Sequence, residues 1–180
     1  MLRRLPYART LAAGACGAVL LLGGCSVARP QGATATADLE PTRGNRVNGA
    51  VRFIQVGDVV RVSGTVRGLA PNSEHGFHIH ETGDCTGGDA MRAGGHFNPL
   101  GGQHGHFGTT GTHAGDLPAL HADATGVANF SAEAHLFTIG SGETDIVGRS
   151  LVVHRDADDY TSQPAGNSGP RLACAVIVRR

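Results

Sequence analysis

The chain contains no lysine: all fifteen of its basic residues are arginine. Chemistry that needs a lysine amine, such as Schiff-base formation, is therefore excluded. Net charge of one sign is also missing, because fifteen acidic residues balance the arginines, and no basic stripe offers itself to a nucleic acid. No apolar run reaches the ~20 residues that a membrane-spanning helix needs, and no stretch keeps a long helical period. What is abundant is glycine, 28 of 180 residues, which points to the many turns and loops of an all-β protein. With 40% hydrophobic and 17% charged residues, the composition otherwise suits one soluble globular domain with a sizeable core.

The N-terminus reads as an export signal, with Arg3, Arg4 and Arg9 leading into a short apolar stretch over residues 11–22. That stretch ends in Leu22-Gly23-Gly24-Cys25, which resembles the bacterial lipobox, where cleavage precedes the cysteine and lipid is attached to it. Residues 1–24 are then a signal peptide, and Cys25 anchors the chain to a membrane as a lipoprotein of the cell envelope, facing the periplasm. A plain secretory signal cut near Ala28 is the alternative. Ser26 is compatible with sorting to the outer membrane. Residues 25–34, with Pro30, Gly32 and small polar residues, form a flexible tether, and residues 35–180 form the domain. Loss of residues 1–24 removes three arginines and no acid, leaving the rest near −3. Cys16 goes with the signal. Cys85 and Cys174 remain beside the anchor, and an even pair in an exported protein favours a disulfide over two buried thiols.

Within the domain the pattern is period two. Val47, Gly49, Val51 and Phe53 fall on one face, Val60, Val62 and Val66 on another, and Gly57-Asp58 turns between them as a hairpin. Further strands are expected over residues 75–81, 119–123, 127–134, 149–154 and 173–178, with Thr125-Gly126 as a tight turn. Two long connections remain, residues 82–116 and 156–170, and long loops in a compact domain usually carry function.

Those loops hold the chemistry. His78, His80, His96, His104, His113, Asp116 and His154 are six imidazoles and one carboxylate with no thiolate, a donor set for copper(II) and zinc rather than calcium or magnesium. On a strand, residues two apart share a face, so His78 and His80 can chelate one ion while Phe77 and Ile79 point into the core. His113 and Asp116 can close on one ion from a turn. Spacing alone does not say which ligand belongs to which metal.

The strings His75-Gly-Phe-His78-Ile-His80-Glu81, Gly83-Asp-Cys85, Ala93-Gly-Gly-His96-Phe-Asn-Pro99, His113-Ala-Gly-Asp116-Leu-Pro118, Gly148-Arg-Ser-Leu-Val-Val-His154 and Gly169-Pro-Arg171-Leu-Ala-Cys174 closely resemble the copper/zinc superoxide dismutase family. The match runs from about residue 35 to the C-terminus, with these strings in order. The resemblance implies a Greek-key β-sandwich or flattened barrel, immunoglobulin-like, with two long functional loops. It also implies one copper and one zinc per subunit, while the sequence leaves monomer and homodimer both open. Copper would be held by His78, His80, His96 and His154, and zinc by His96, His104, His113 and Asp116. His96 would bridge them as an imidazolate, leave reduced copper and deliver a proton as superoxide is converted to oxygen and hydrogen peroxide. Arg171 matches the arginine that attracts the superoxide anion. Asp158 matches a carboxylate linking a copper-bound and a zinc-bound histidine, although Asp156 and Asp159 compete on sequence grounds. Cys85 and Cys174 match the disulfide that ties the long metal loop to the last strand, which would hold Arg171 near copper.

Other histidines receive lesser roles. His75 matches a position that packs beside the site, His121 and His135 are strand or surface residues, and His106 competes with His104 as a ligand. The loop over residues 158–171 is shorter than in eukaryotic members and carries Thr161, Ser162 and Gln163 where they have a Glu-Glu-Lys steering cluster. Arg92, close to His96, is the candidate for part of the missing positive field. The alternatives to an enzyme are a copper or zinc buffer without turnover and a non-catalytic module of the same fold; neither needs Arg171.

Overall fold

The computed structural model describes residues 32–180, so the signal and the Cys25 anchor lie outside the described residues. Strands β1 (Thr34–Pro41), β2 (Asn48–Val56), β3 (Val59–Arg67), β4 (Glu74–His75) and β5 (Phe77–His80) precede the metal-rich loop. After it come β6 (Leu120–His121), β7 (Ala128–Ala134), β8 (Ser150–His154), β9 (Arg171–Val176) and β10 (Val178–Arg179). Among the described residues the only helical element is a three-residue 3-10 turn at Met91–Ala93. None is long and apolar enough to cross a membrane.

Eight strands make one antiparallel sheet in the order β5-β8-β9-β1-β2-β3-β7, with β10 added alongside β1. The ends of that order meet: Phe77 on β5 and Phe130 on β7 pack edge to face with ring centroids 5.2 Å apart. The sheet is thus curled on itself into a flattened barrel. Its chain path, a β1-β2-β3 meander followed by a crossing to β5 at the far end, is a Greek key.

Alternation explains the inner face. Val51, Phe53, Val60, Val62 and Val66 are all buried, and the Gly57-Asp58 turn sets the register that pairs Phe53 with Val62. Each such side chain contributes about 2 kcal/mol on burial. β1 has only a weak signature in the sequence. Its inward residues are Ala35, Ala37 and Leu39, and two alanines give little hydropathic contrast against their neighbours.

The expected strand over residues 75–81 divides at Gly76, so that β4 pairs with β6 and β5 with β8. All four residues of β5 are buried. Phe77 and Ile79 join the core, while the opposite face is covered by the metal-rich loop, which bridges His78 to Asp116 and His80 to His96. A Cys85–Cys174 disulfide fastens that loop to β9. Ala90, Ala93 and Val152 pack around Cys174 as a small separate core.

Candidate metal centre

Two donor clusters meet on the outer face of β5. His78, His80, His96 and His154 each offer a ring nitrogen within 4.8 Å of the others, and all four side chains are buried. The Nε2 atoms of His80 and His154 face one another at 3.2 Å, and the rings of His78 and His96 stack at 3.9 Å. Their unused nitrogens are already tied outward: His80 Nδ1 lies 3.0 Å from Gly94 O and His154 Nδ1 3.2 Å from Gly169 O. That fixes the rings with Nε2 turned inward.

Around Asp116 three imidazoles converge on one carboxylate oxygen. His96 Nδ1, His104 Nδ1 and His113 Nδ1 lie 2.9, 3.1 and 3.4 Å from Asp116 Oδ1, and Oδ2 accepts the Gly105 N–H. Distance alone groups His78, rather than His113, with His96, His104 and Asp116. An unpartnered nitrogen does not separate the two, because His78 Nδ1 and His113 Nδ1 are both buried without a hydrogen-bond partner. The case for His113 is its Nδ1 facing Asp116 Oδ1 beside those of His96 and His104.

The arrangement passes a direct test of fit to metal ions. His78 Nδ1, His96 Nε2, His104 Nε2 and His113 Nδ1 are buried without hydrogen-bond partners among the described residues. Buried nitrogens of that kind are costly unless something else engages them. His96 belongs to both clusters, one nitrogen toward Asp116 and the other orphaned.

The charge environments of the clusters differ. Burial holds His96 down to about pKa 4 and His154 down to about 3, and it also lowers His80, so these rings keep neutral lone pairs. Burial opposes charge on His104 as well, but Asp116 and Asp158 outweigh it and raise its pKa to about 10. The carboxylates of Asp116 and Asp158 are pushed well below the usual range despite burial, through His104 first. One side of the site is thus neutral and imidazole-rich, and the other favours a cation.

Asp158 spans the two sides. Its Oδ2 lies 2.8 Å from His78 Nε2, and its Oδ1 faces His104 Nε2 at 3.3 Å without hydrogen-bond geometry. Asp156 instead pairs with Arg155, and Asp159 caps the turn through Thr161 and Ser162. Two supports carry no signal in the sequence. Ser168 Oγ donates to Asp158 Oδ1 at 2.6 Å, and the Gln163 amide both accepts from His104 N–H and donates to its carbonyl. Gly166, at φ 65°, lies so close to Asp158 and His104 that a Cβ there would overlap both.

Arg171 reaches the histidine cluster from the first residue of β9. Its Nη1 donates to Ala90 O at 2.5 Å and its Nη2 to Gly94 O at 2.6 Å, which leaves other N–H groups free. Arg171, His80, His96 and His154 line a common pocket of about 240 Å³. Gly94 O therefore receives both Arg171 and His80. The peptide that carries it is held by Glu81, whose Oε1 accepts the Gly95 N–H at 3.0 Å, and Gly94 adopts φ 78°, with the Glu81 carboxylate where a Cβ would stand.

The remaining histidines separate cleanly. His75 is buried between Ser73 Oγ and His154 O, and His121 and His135 are exposed. His106 is exposed and stacks on Tyr160 at 3.7 Å, outside both donor clusters. Arg92 requires a correction: it is ion-paired with Asp84 at 2.6 Å, so its field is largely cancelled. Arg92→Gln should leave the superoxide decay rate at low salt within about twofold of the parent; a larger drop would restore Arg92 as a steering charge.

Comparison with known proteins agrees with this geometry. The family model described as copper/zinc superoxide dismutase (SODC) matches residues 47–177. Superoxide dismutase (Cu-Zn) 2 of Aquifex aeolicus (strain VF5) is 39% identical over 165 residues, covering 89% of this chain and 94% of its own. The copper chaperone for superoxide dismutase of Rattus norvegicus is 42% identical over 74% of this chain and 49% of its own length. Among solved structures, that of the clock protein EA4 superposes with a TM-score of 0.74 at 37% identity, covering 82% of this chain and 95% of that one. With its fold, its paired donor clusters and these relatives in agreement, the chain belongs to the copper/zinc superoxide dismutase family.

Proposed function

We propose that the chain dismutates superoxide at a copper held by His78, His80, His96 and His154, beside a zinc held by His96, His104, His113 and Asp116. The observation that carries this reading is a pair of buried donor clusters that share His96, and by distance His78 as well, with His96 turning one nitrogen to Asp116 and leaving the other unpartnered. Copper, when bound, supplies the one-electron couple that oxidises one superoxide to dioxygen and reduces another to hydrogen peroxide, whereas zinc supplies a fixed positive charge without redox chemistry.

The protein's own groups do the rest. Arg171, clamped by two backbone carbonyls, presents a permanent positive charge in the pocket and binds the incoming anion. Where its Nε2 is not engaged by copper, His96 would carry a proton there and give it to the reduced product, the second proton of hydrogen peroxide coming from solvent. Asp158, braced by Ser168, orients His78 and His104 together. All these residues come from one chain, so a monomer and a homodimer alike carry complete sites. Cys25, if lipidated, tethers the domain to the bacterial envelope, where it removes superoxide; the support is the Leu22-Gly23-Gly24-Cys25 string.

The test is metal analysis with a superoxide-decay assay on the purified protein. Near-equal copper and zinc with catalysed decay is the expected result, and bound metal without decay would replace the enzyme by a metal buffer. Arg171→Gln should keep its copper and lose about tenfold in rate at low salt. An unchanged rate would remove Arg171 from substrate binding.

A further inference from the structure

We propose that Met91 is an entry ligand for copper(I), the first protein donor that an arriving ion meets before it reaches His80 and His154. The inference rests on the copper assignment above. Met91 is the only methionine among the described residues, and it is 62% exposed, whereas methionine is ordinarily a buried residue. It lines the same pocket as His80, His96, His154 and Arg171.

Charge gives a copper ion mixed help there, because Asp89, whose carboxylate accepts the Met91 N–H, acts on the Arg171 guanidinium. The lining of that pocket includes the Arg171 guanidinium and no carboxylate. A thioether attracts copper(I) through softness instead, needs no proton released, and has little affinity for copper(II) or zinc. The backbone holds the residue in place: Met91 N–H donates to Asp89 Oδ1 at 3.0 Å, and Ala93, two residues on, is buried. The side chain is therefore presented from an anchored turn. In the transfer, the bond from the copper donor breaks as the Met91 sulfur lone pair binds. Imidazole nitrogens then displace the sulfur. Copper stays in the +1 state throughout, so no oxidant or reductant is needed.

The experiment mixes the copper-free protein with copper(I) bis-bicinchoninate and follows loss of the complex by stopped-flow absorbance. M91L should take up copper(I) about tenfold more slowly than the parent, reach the same final stoichiometry, and take up copper(II) at the parent rate. Leu100 is 53% exposed and outside this pocket, so adding L100M to M91L should not restore the rate. Equal copper(I) rates for parent and M91L would overturn the proposal, as would an equal slowing for copper(II) or rescue by L100M. A parent protein that binds no copper would instead bring down the copper assignment, and Met91 with it.

Discussion

His78→Ala should abolish catalysed superoxide decay and strip copper while leaving zinc bound. His78 does two jobs from one ring: its buried Nδ1 is unpartnered, and its Nε2 engages Asp158. Loss of an outer-sphere partner typically costs about 10–100-fold in metal affinity or activity, so loss of a direct ligand should lower the rate by roughly a thousandfold or more. His96, His104, His113 and Asp116 remain to hold zinc. Metal analysis and the decay assay read the result, and melting of the metal-free forms separates a missing ligand from a disturbed fold. Retained decay would sink the copper assignment. Loss of zinc together with copper would move His78 into the zinc set, where distance alone also groups it.

The second large effect is on stability. Cys85 and Cys174 are 89 residues apart in sequence, and their bond closes most of the domain into a loop. By chain entropy, a closure of that length contributes about 4–5 kcal/mol, so the paired Cys85→Ser, Cys174→Ser variant should show a clearly lower denaturant midpoint. The same bond joins the loop that carries Ala90 and Gly94 to the strand that carries Arg171. Activity per bound copper should therefore fall too. A stability change below about 1 kcal/mol would mean that the packing around Cys174 holds the loop without the bond.

Much of this was legible in the residues themselves. Alternation brought Phe53 and Val62 inward, and the spacing of His78 and His80 implied one shared face. Other features depend on partners far along the chain. Asp158 differs from Asp156 and Asp159 only because the loop over residues 155–170 folds to bring it between His78 and His104. Gly94 O and Ala90 O act through backbone, which carries no side-chain signature. Gln163 read as the loss of a steering charge, yet its amide is a brace for His104. Arg92 read as a free charge because nothing in its neighbourhood of sequence announced the pairing with Asp84 across the turn.

The carbonyl of Gly94 has a mechanical consequence. His80 and Arg171, assigned in the proposed function to copper and to the anion, are hung from the same oxygen. A shift of that one carbonyl disturbs both hydrogen bonds together, so the settings of the two side chains are coupled through a single peptide. The weak point is then Glu81, the peg that keeps the shared carbonyl from turning.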